Sequence, residues 1–243
     1  PGAQGPEHHT GRGGHFQWHK DEQHREHTLD TLEQVAQDFR DSESLLAISL
    51  LNEPEPSIDR SMLVEFYHRA ADRVRKHCDE SVAVVIPAYP EHLVDRDHGC
   101  LADANVWTDV HLYQNFVDWS GRSLHDYLGE PYRRQAEMRP LLEQGPIIVG
   151  EWSLAFPKAF RGPETAENAE VNEAMVRAYA SNQLVCLEEF TGWFFWSYRT
   201  ESMRHWSYRN AVQRGWLPVF PADTNTTGKR QSPCGALCQT SPV

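Results

Sequence analysis

The chain has 243 residues, of which 40% are hydrophobic and 24% charged, and its formal net charge is −12. That length suits one large domain or two small ones, and the composition is that of a globular chain, not a disordered one. The acidic excess argues against nucleic acid and against an anionic membrane surface, since both demand basic clusters, and no apolar run approaches the roughly 20 residues of a membrane span.

The chain opens PGAQGPEHHTGRGGH, without an initiator Met or a signal-peptide pattern. It therefore reads as a fragment of something longer. His8, His9, His15, His19, His24 and His27 crowd this opening. Imidazoles are good zinc ligands, but no HExxH pattern or cysteine accompanies them. The expectation is a solvated polar loop with no metal site.

Thr28 is expected to cap a first helix that carries Leu29, Leu32, Ala36 and Phe39 on one face. A strand over Leu45–Leu51 follows. Asp59 is expected to cap a second helix, whose Leu63, Phe66, Tyr67, Ala70, Ala71, Val74 and Cys78 recur at helical spacing. Strands are predicted over Val82–Ala88 and Val106–Leu112, then a helix near Pro131–Glu143 and a strand over Ile147–Trp152. A helix over about Glu167–Glu188 and a strand over Trp193–Tyr198 complete the series. The stretch 219–243 is polar, rich in Pro, Gly and Thr, and expected to be a disordered tail. It holds the sequon Asn225-Thr226-Thr227 and two of the five cysteines, Cys234 and Cys238. A bridge between those two and free thiols throughout, with Cys78, Cys100 and Cys186, both fit the sequence.

Each predicted strand is a short, nearly continuous apolar run, as in parallel strands covered on both faces. Strands alternating with helices give an α/β fold with a parallel sheet. No GxGxxG or P-loop supports a nucleotide site. The expected architecture is a (β/α)8 TIM barrel, present as its C-terminal part over residues 1–218. The five strands would be about strands 4 to 8, with the first strands lying upstream of Pro1.

Polar groups gather where these strands end, which is where barrel active sites are built. The first ends in Asn52-Glu53, the third in His111 and Tyr113, the fourth in Glu151, and the fifth in Trp196, Ser197 and Tyr198. Two carboxylates at a barrel mouth point to glycoside hydrolysis. One is protonated to donate to the leaving oxygen, and the other is ionised to attack the anomeric carbon. Asn52 suits a sugar hydroxyl, His111 and Tyr113 suit an anionic Glu151, and Trp196 offers a flat apolar face to a sugar ring.

The runs LLNEP, VHLYQNF, IIVGEWSLAF and GWFFWSYRTESMRHWSY, with PGAQG, HHTG and GWLP, resemble glycoside hydrolase family 5. Within it the likeness is to exo-β-1,3-glucanases, also called glucan 1,3-β-glucosidases, over about Pro1 to Pro218. The resemblance implies Glu53 as acid/base and Glu151 as nucleophile. It implies Asn52, His111, Tyr113 and Trp196 as neighbours in the sugar site, and Phe116 as a contact of the next sugar. It further implies a covalent glycosyl-enzyme intermediate and net retention, with no metal or cofactor. A monomer acting on β-glucan outside the cell or at its surface is expected. Retention places the two carboxyl groups about 5–5.5 Å apart. The family's early-strand Arg and the His before its PGSQNG-type loop would lie upstream of Pro1. Glu7 stands where the family often has an aromatic, and Tyr198 where a second Trp is common. β-1,6-glucan, cellulose, mannan or a glycolipid are alternative substrates, because loops set specificity on a shared barrel. A carbohydrate-binding relic without turnover is the alternative from another class.

Overall fold

The computed structural model describes residues 18–54, 57–88, 101, 105–160, 169–201 and 203–219. The glycine-rich opening, Glu7, Cys100, the sequon, Cys234, Cys238 and the predicted tail beyond Val219 lie outside these residues. The chain divides into two compact units, Pro1–Val110 with Gly145–Ile147, and His111–Gln144 with Ile148–Val243.

In the first unit, α1 (Glu22–Phe39) packs on α2 (Arg60–Arg75), and β1 (Ala47–Ser49) pairs in parallel with β2 (Ala83–Pro87). β2 pairs in parallel with β3 (Val106–His111), setting Val85 opposite Trp107 and Pro87 opposite Asp109. The core joins Leu29, Leu32 and Ala36 of α1 to the buried face of α2 and to Ile48, Val84 and Ile86 of the strands. Asp59 caps α2 as expected, its carboxylate accepting from the backbone N–H groups of Ser61 and Met62.

α1 starts about two turns earlier than its expected cap. Asp21 is the N-cap, accepting from the Gln23 N–H, and Thr28 lies inside the helix. The Thr28 hydroxyl donates back to the His24 carbonyl at 3.0 Å and accepts from the buried Trp18 indole N–H at 3.0 Å. Thr28 is thus satisfied inside the helix and does not start it. Phe39, expected on the buried face, is 53% exposed. The polar face of α1 is an ion ladder to α2. Arg69 pairs with Glu22 and Glu26, Arg73 with Glu26, Asp30 and Glu33, and Lys76 with Glu33.

In the second unit, α3 (Leu124–Leu142) packs on α4 (Ala169–Leu187). β4 (Ile147–Trp152) pairs in parallel with β5 (Gly192–Phe195), and α5 (Tyr208–Gln213) follows. α3 begins ahead of the expected Pro131 start. Ser123 and Asp126 form a capping box, and Pro131 and Pro140 are both accommodated within the helix. β5 is shorter than expected and not covered on both faces, since Phe194 is 62% exposed. Within each unit the strands pair in parallel and in chain order. This succession of βα units is part of a (β/α)8 barrel.

Glu130 of α3 is buried and forms ion pairs with Arg133 and Arg134. Burial alone would push its carboxyl up, but the hydrogen bond from Arg133 and the charges of both arginines outweigh this and hold it below the ordinary 4.5. A carboxyl depressed on folding stabilises the native state above its unfolded pKa, and that contribution fades as pH falls below 4.5 through the folded value. Glu130→Gln is therefore expected to lower stability at neutral pH by about 2 kcal/mol. Melting curves of both proteins across pH check this: the gap should close in acid, and a constant gap would refute the assignment.

Candidate active site

In the first unit, β1 ends at Ser49, before the expected Leu51. Leu50 still donates its N–H to the Val85 carbonyl at 2.9 Å, and Leu50 and Leu51 stay buried. Asn52 then stands exposed, Glu53 is half-buried and Pro54 is buried. Glu53 has a φ of +39°, the left-handed side that favours glycine or asparagine. A glutamate held there costs about 1–3 kcal/mol, and such residues cluster at functional sites. It stands between a buried leucine pair and a buried proline.

The second unit carries a connected group. His111 closes β3 and Glu151 is the penultimate residue of β4. The backbone N–H of Leu112 donates to the Glu151 carbonyl at 2.9 Å, which sets these strand ends side by side. The Tyr113 hydroxyl donates to Glu151 Oε2 at 2.7 Å, and His111 Nδ1 stands 3.6 Å from the same oxygen. The side chains of His111 and Glu151 are 11% and 13% exposed, so the carboxylate is reachable yet largely shielded. Chemically this is a carboxylate with one oxygen engaged by a phenol, on a rigid strand.

Three aromatic rings line the same place. Tyr113 lies 5.5 Å from Phe116 and 5.3 Å from Trp206, and Phe116 lies 6.0 Å from Trp206. Phe116 is 73% exposed, so its ring is offered to solvent or a ligand. Trp196 lies beyond the end of β5, is 52% exposed, and donates its backbone N–H to the Trp152 carbonyl at 2.8 Å. The Trp196–Ser197 peptide is cis. Ser197 donates its N–H to the Trp206 carbonyl at 2.7 Å and accepts from the Tyr208 N–H at 2.9 Å. Trp206 joins this group without having been singled out as a site residue. Its signal was faint: a tryptophan in SMRHWSY, with no strand behind it. Among the described residues, His19, His24 and His27 belong to no group of three metal-type ligands.

A scan against protein-family models finds no match. Among curated proteins, the chain is 26% identical to the probable glucan 1,3-beta-glucosidase A of Emericella nidulans, over 91% of this chain and 61% of that protein. It is 24% identical to a glucan 1,3-beta-glucosidase of Pichia angusta, over 90% of this chain and 58% of that one. It is also 26% identical to the glucan endo-1,6-beta-glucosidase B of Emericella nidulans, over 70% of this chain and 43% of that one. The chain thus spans about three-fifths of the length of the first two relatives. Among solved structures, AoRut superposes with a TM-score of 0.64 at 16% identity, covering 89% of this chain and 63% of that one. The endoglucanase Cel5A of Thermotoga maritima superposes with a TM-score of 0.53 at 16% identity, covering 82% and 68%. These likenesses bear out the partial barrel, and the curated relatives bear out the similarity to glucan 1,3-β-glucosidases. Among the described residues, no helix is long and apolar enough to cross a membrane.

Proposed function

We propose that this chain belongs to a retaining glycoside hydrolase that cleaves β-glucan, releasing glucose from β-1,3-linked ends by double displacement. The observation that carries the reading is the Tyr113 hydroxyl on Glu151 Oε2 at 2.7 Å, at the end of a barrel strand. The names of the curated relatives supply the substrate class.

In the first step Glu151 attacks the anomeric carbon as the glycosidic C–O bond breaks, and Glu53 gives its proton to the leaving oxygen. In the second step Glu53 takes a proton from water, the water oxygen attacks the same carbon, and Glu151 leaves as carboxylate. Asn52 holds a hydroxyl of the reacting sugar, and His111 and Tyr113 keep Glu151 ionised and oriented. Trp196 stacks on the reacting sugar and Phe116 on the next one. Neither step draws on a metal or cofactor. The relative named endo-1,6-beta-glucosidase favours β-1,6-glucan as the second reading.

The test is incubation with laminarin and, separately, with a β-1,6-glucan, following released sugar by proton NMR. β-Glucose appearing first from laminarin is the expected result. α-Glucose appearing first would overturn retention, and turnover of the β-1,6 polymer alone would select the second reading. Binding of laminarin without any turnover would favour a carbohydrate-binding relic.

A further inference from the structure

Immediately after Tyr113 comes Gln114, which is 2% exposed and polar. A buried amide needs partners, and Gln114 has them on both its side chain and its backbone. Its side-chain oxygen accepts from the Tyr179 hydroxyl at 2.5 Å and from the Gln183 amide at 3.0 Å, both on α4. Its backbone carbonyl accepts from the buried Trp119 indole N–H at 2.7 Å and from the Val117 N–H at 3.3 Å. Gln183 also donates to the Tyr179 hydroxyl at 3.0 Å, which closes a three-membered ring of hydrogen bonds. Burial pushes the Tyr179 phenol well above its ordinary value, so it stays a neutral donor at every working pH.

The same scaffold grips the loop after Glu151. The Tyr127 hydroxyl of α3 donates to the Ala155 carbonyl at 2.6 Å. Its ring stacks on Tyr179 at 4.8 Å, and Phe156 packs on both rings, at 5.1 Å from Tyr127 and 5.2 Å from Tyr179. One buried group therefore fixes the segment bearing Tyr113 and the segment following Glu151. A phenol donating to a carboxylate acts through its angle and distance, and the Tyr113 ring itself is only half-buried. Its backbone has to be held by something else.

We infer that Gln114 is a positioning residue: anchored by Tyr179, Gln183 and Trp119, it fixes the backbone of Tyr113 so that the Tyr113 hydroxyl stays on Glu151. The inference rests on the reading of Glu151 as nucleophile. Gln114 is buried, so its effect on a bound sugar has to pass through Tyr113.

That dependence makes a double-mutant cycle decisive. Gln114→Leu, Tyr113→Phe and the double variant are compared by the rate at which a 2-fluoro-2-deoxy-β-glucoside with a dinitrophenol leaving group inactivates the protein. Each single variant should slow inactivation about 10- to 100-fold, since small displacements of a positioning group cost that much. The double variant should be no slower than Tyr113→Phe alone. Multiplied losses would overturn the inference, because a general loosening of the fold does not need Tyr113. Tyr179→Phe repeats the cycle where Gln114→Leu does not fold, as it keeps the stacked ring and removes only the hydroxyl. A second readout is the NMR signal of 13C-labelled Tyr113, assigned by its loss in Tyr113→Phe. It should shift or broaden in Gln114→Leu and Tyr179→Phe, and an unchanged signal would equally overturn the inference. A wild type that is not inactivated at all would sink the proposed function, while the NMR arm still decides whether Gln114 holds Tyr113.

Discussion

Glu151→Gln is expected to abolish hydrolysis of β-1,3-glucan, with kcat lowered about 10⁴-fold or more. The amide is nearly isosteric with the carboxylate and can still accept the Tyr113 hydrogen bond now made at 2.7 Å. What it lacks is the charge and the nucleophilic oxygen. Stability should therefore barely move, and circular dichroism with a melting curve confirms that the loss is chemical. The same residue is the expected site of covalent labelling by the fluoroglucoside, read as a mass increment on the peptide containing Glu151. A Gln variant that keeps more than about a hundredth of the parent activity would remove Glu151 from the nucleophile's role, since loss of a nucleophile costs far more than that.

The legible parts of this fold are those where one physical signal acts alone. β4 was predicted with its observed ends, Ile147 and Trp152, because an apolar run there begins after Gly145-Pro146 and ends at Ser153. The buried face of α2, from Leu63 to Val74, follows helical spacing, and Cys78, expected to continue it, is buried just beyond the helix end. Where two signals compete, sequence and structure part. Thr28 was a plausible cap that instead bonds within α1, and Phe39 continued an apolar period past the point where α1 has anything to cover. Pro131 suggested a start, yet it sits mid-helix because the Ser123–Asp126 capping box nucleates α3 further upstream.

The candidate site divides in the same way. Glu151, Tyr113 and His111 were legible because polar residues terminating apolar strands have no packing reason to be there, and the structure brings these three together at one carboxylate oxygen. Trp206 and Gln114 were not. Trp206 reaches Tyr113 and Phe116 from a short 3₁₀ turn, Arg204–Trp206, which no period announces. Gln114 is a buried polar residue whose partners lie 65 and 69 positions away in α4. Sequence spacing carries no trace of such a bond; only the packing of α4 against the β3–α3 loop creates it.

Glu53 should separate from Glu151 by its dependence on the leaving group. A general acid matters in proportion to how badly the departing oxygen needs a proton. Glu53→Gln is therefore expected to slow hydrolysis of laminarin about 10²- to 10⁴-fold. With a dinitrophenyl β-glucoside, whose leaving group departs as a stable anion, formation of the glycosyl-enzyme should be nearly unimpaired. The second step then stalls, since no base activates water, and a burst of dinitrophenol follows enzyme concentration. Added azide, an anion that needs no deprotonation, should restore turnover and give a β-glucosyl azide. The backbone adds a second reading of the same residue. With φ at +39°, Glu53 stands where glycine would be relaxed, so Glu53→Gly is expected to match or exceed the parent in thermal stability while losing laminarin hydrolysis. Greater stability with lost activity would mean that the strain is retained for the carboxyl it presents, whereas a destabilised Glu53→Gly that still hydrolyses laminarin would make Glu53 a structural residue and leave the acid/base to be sought elsewhere.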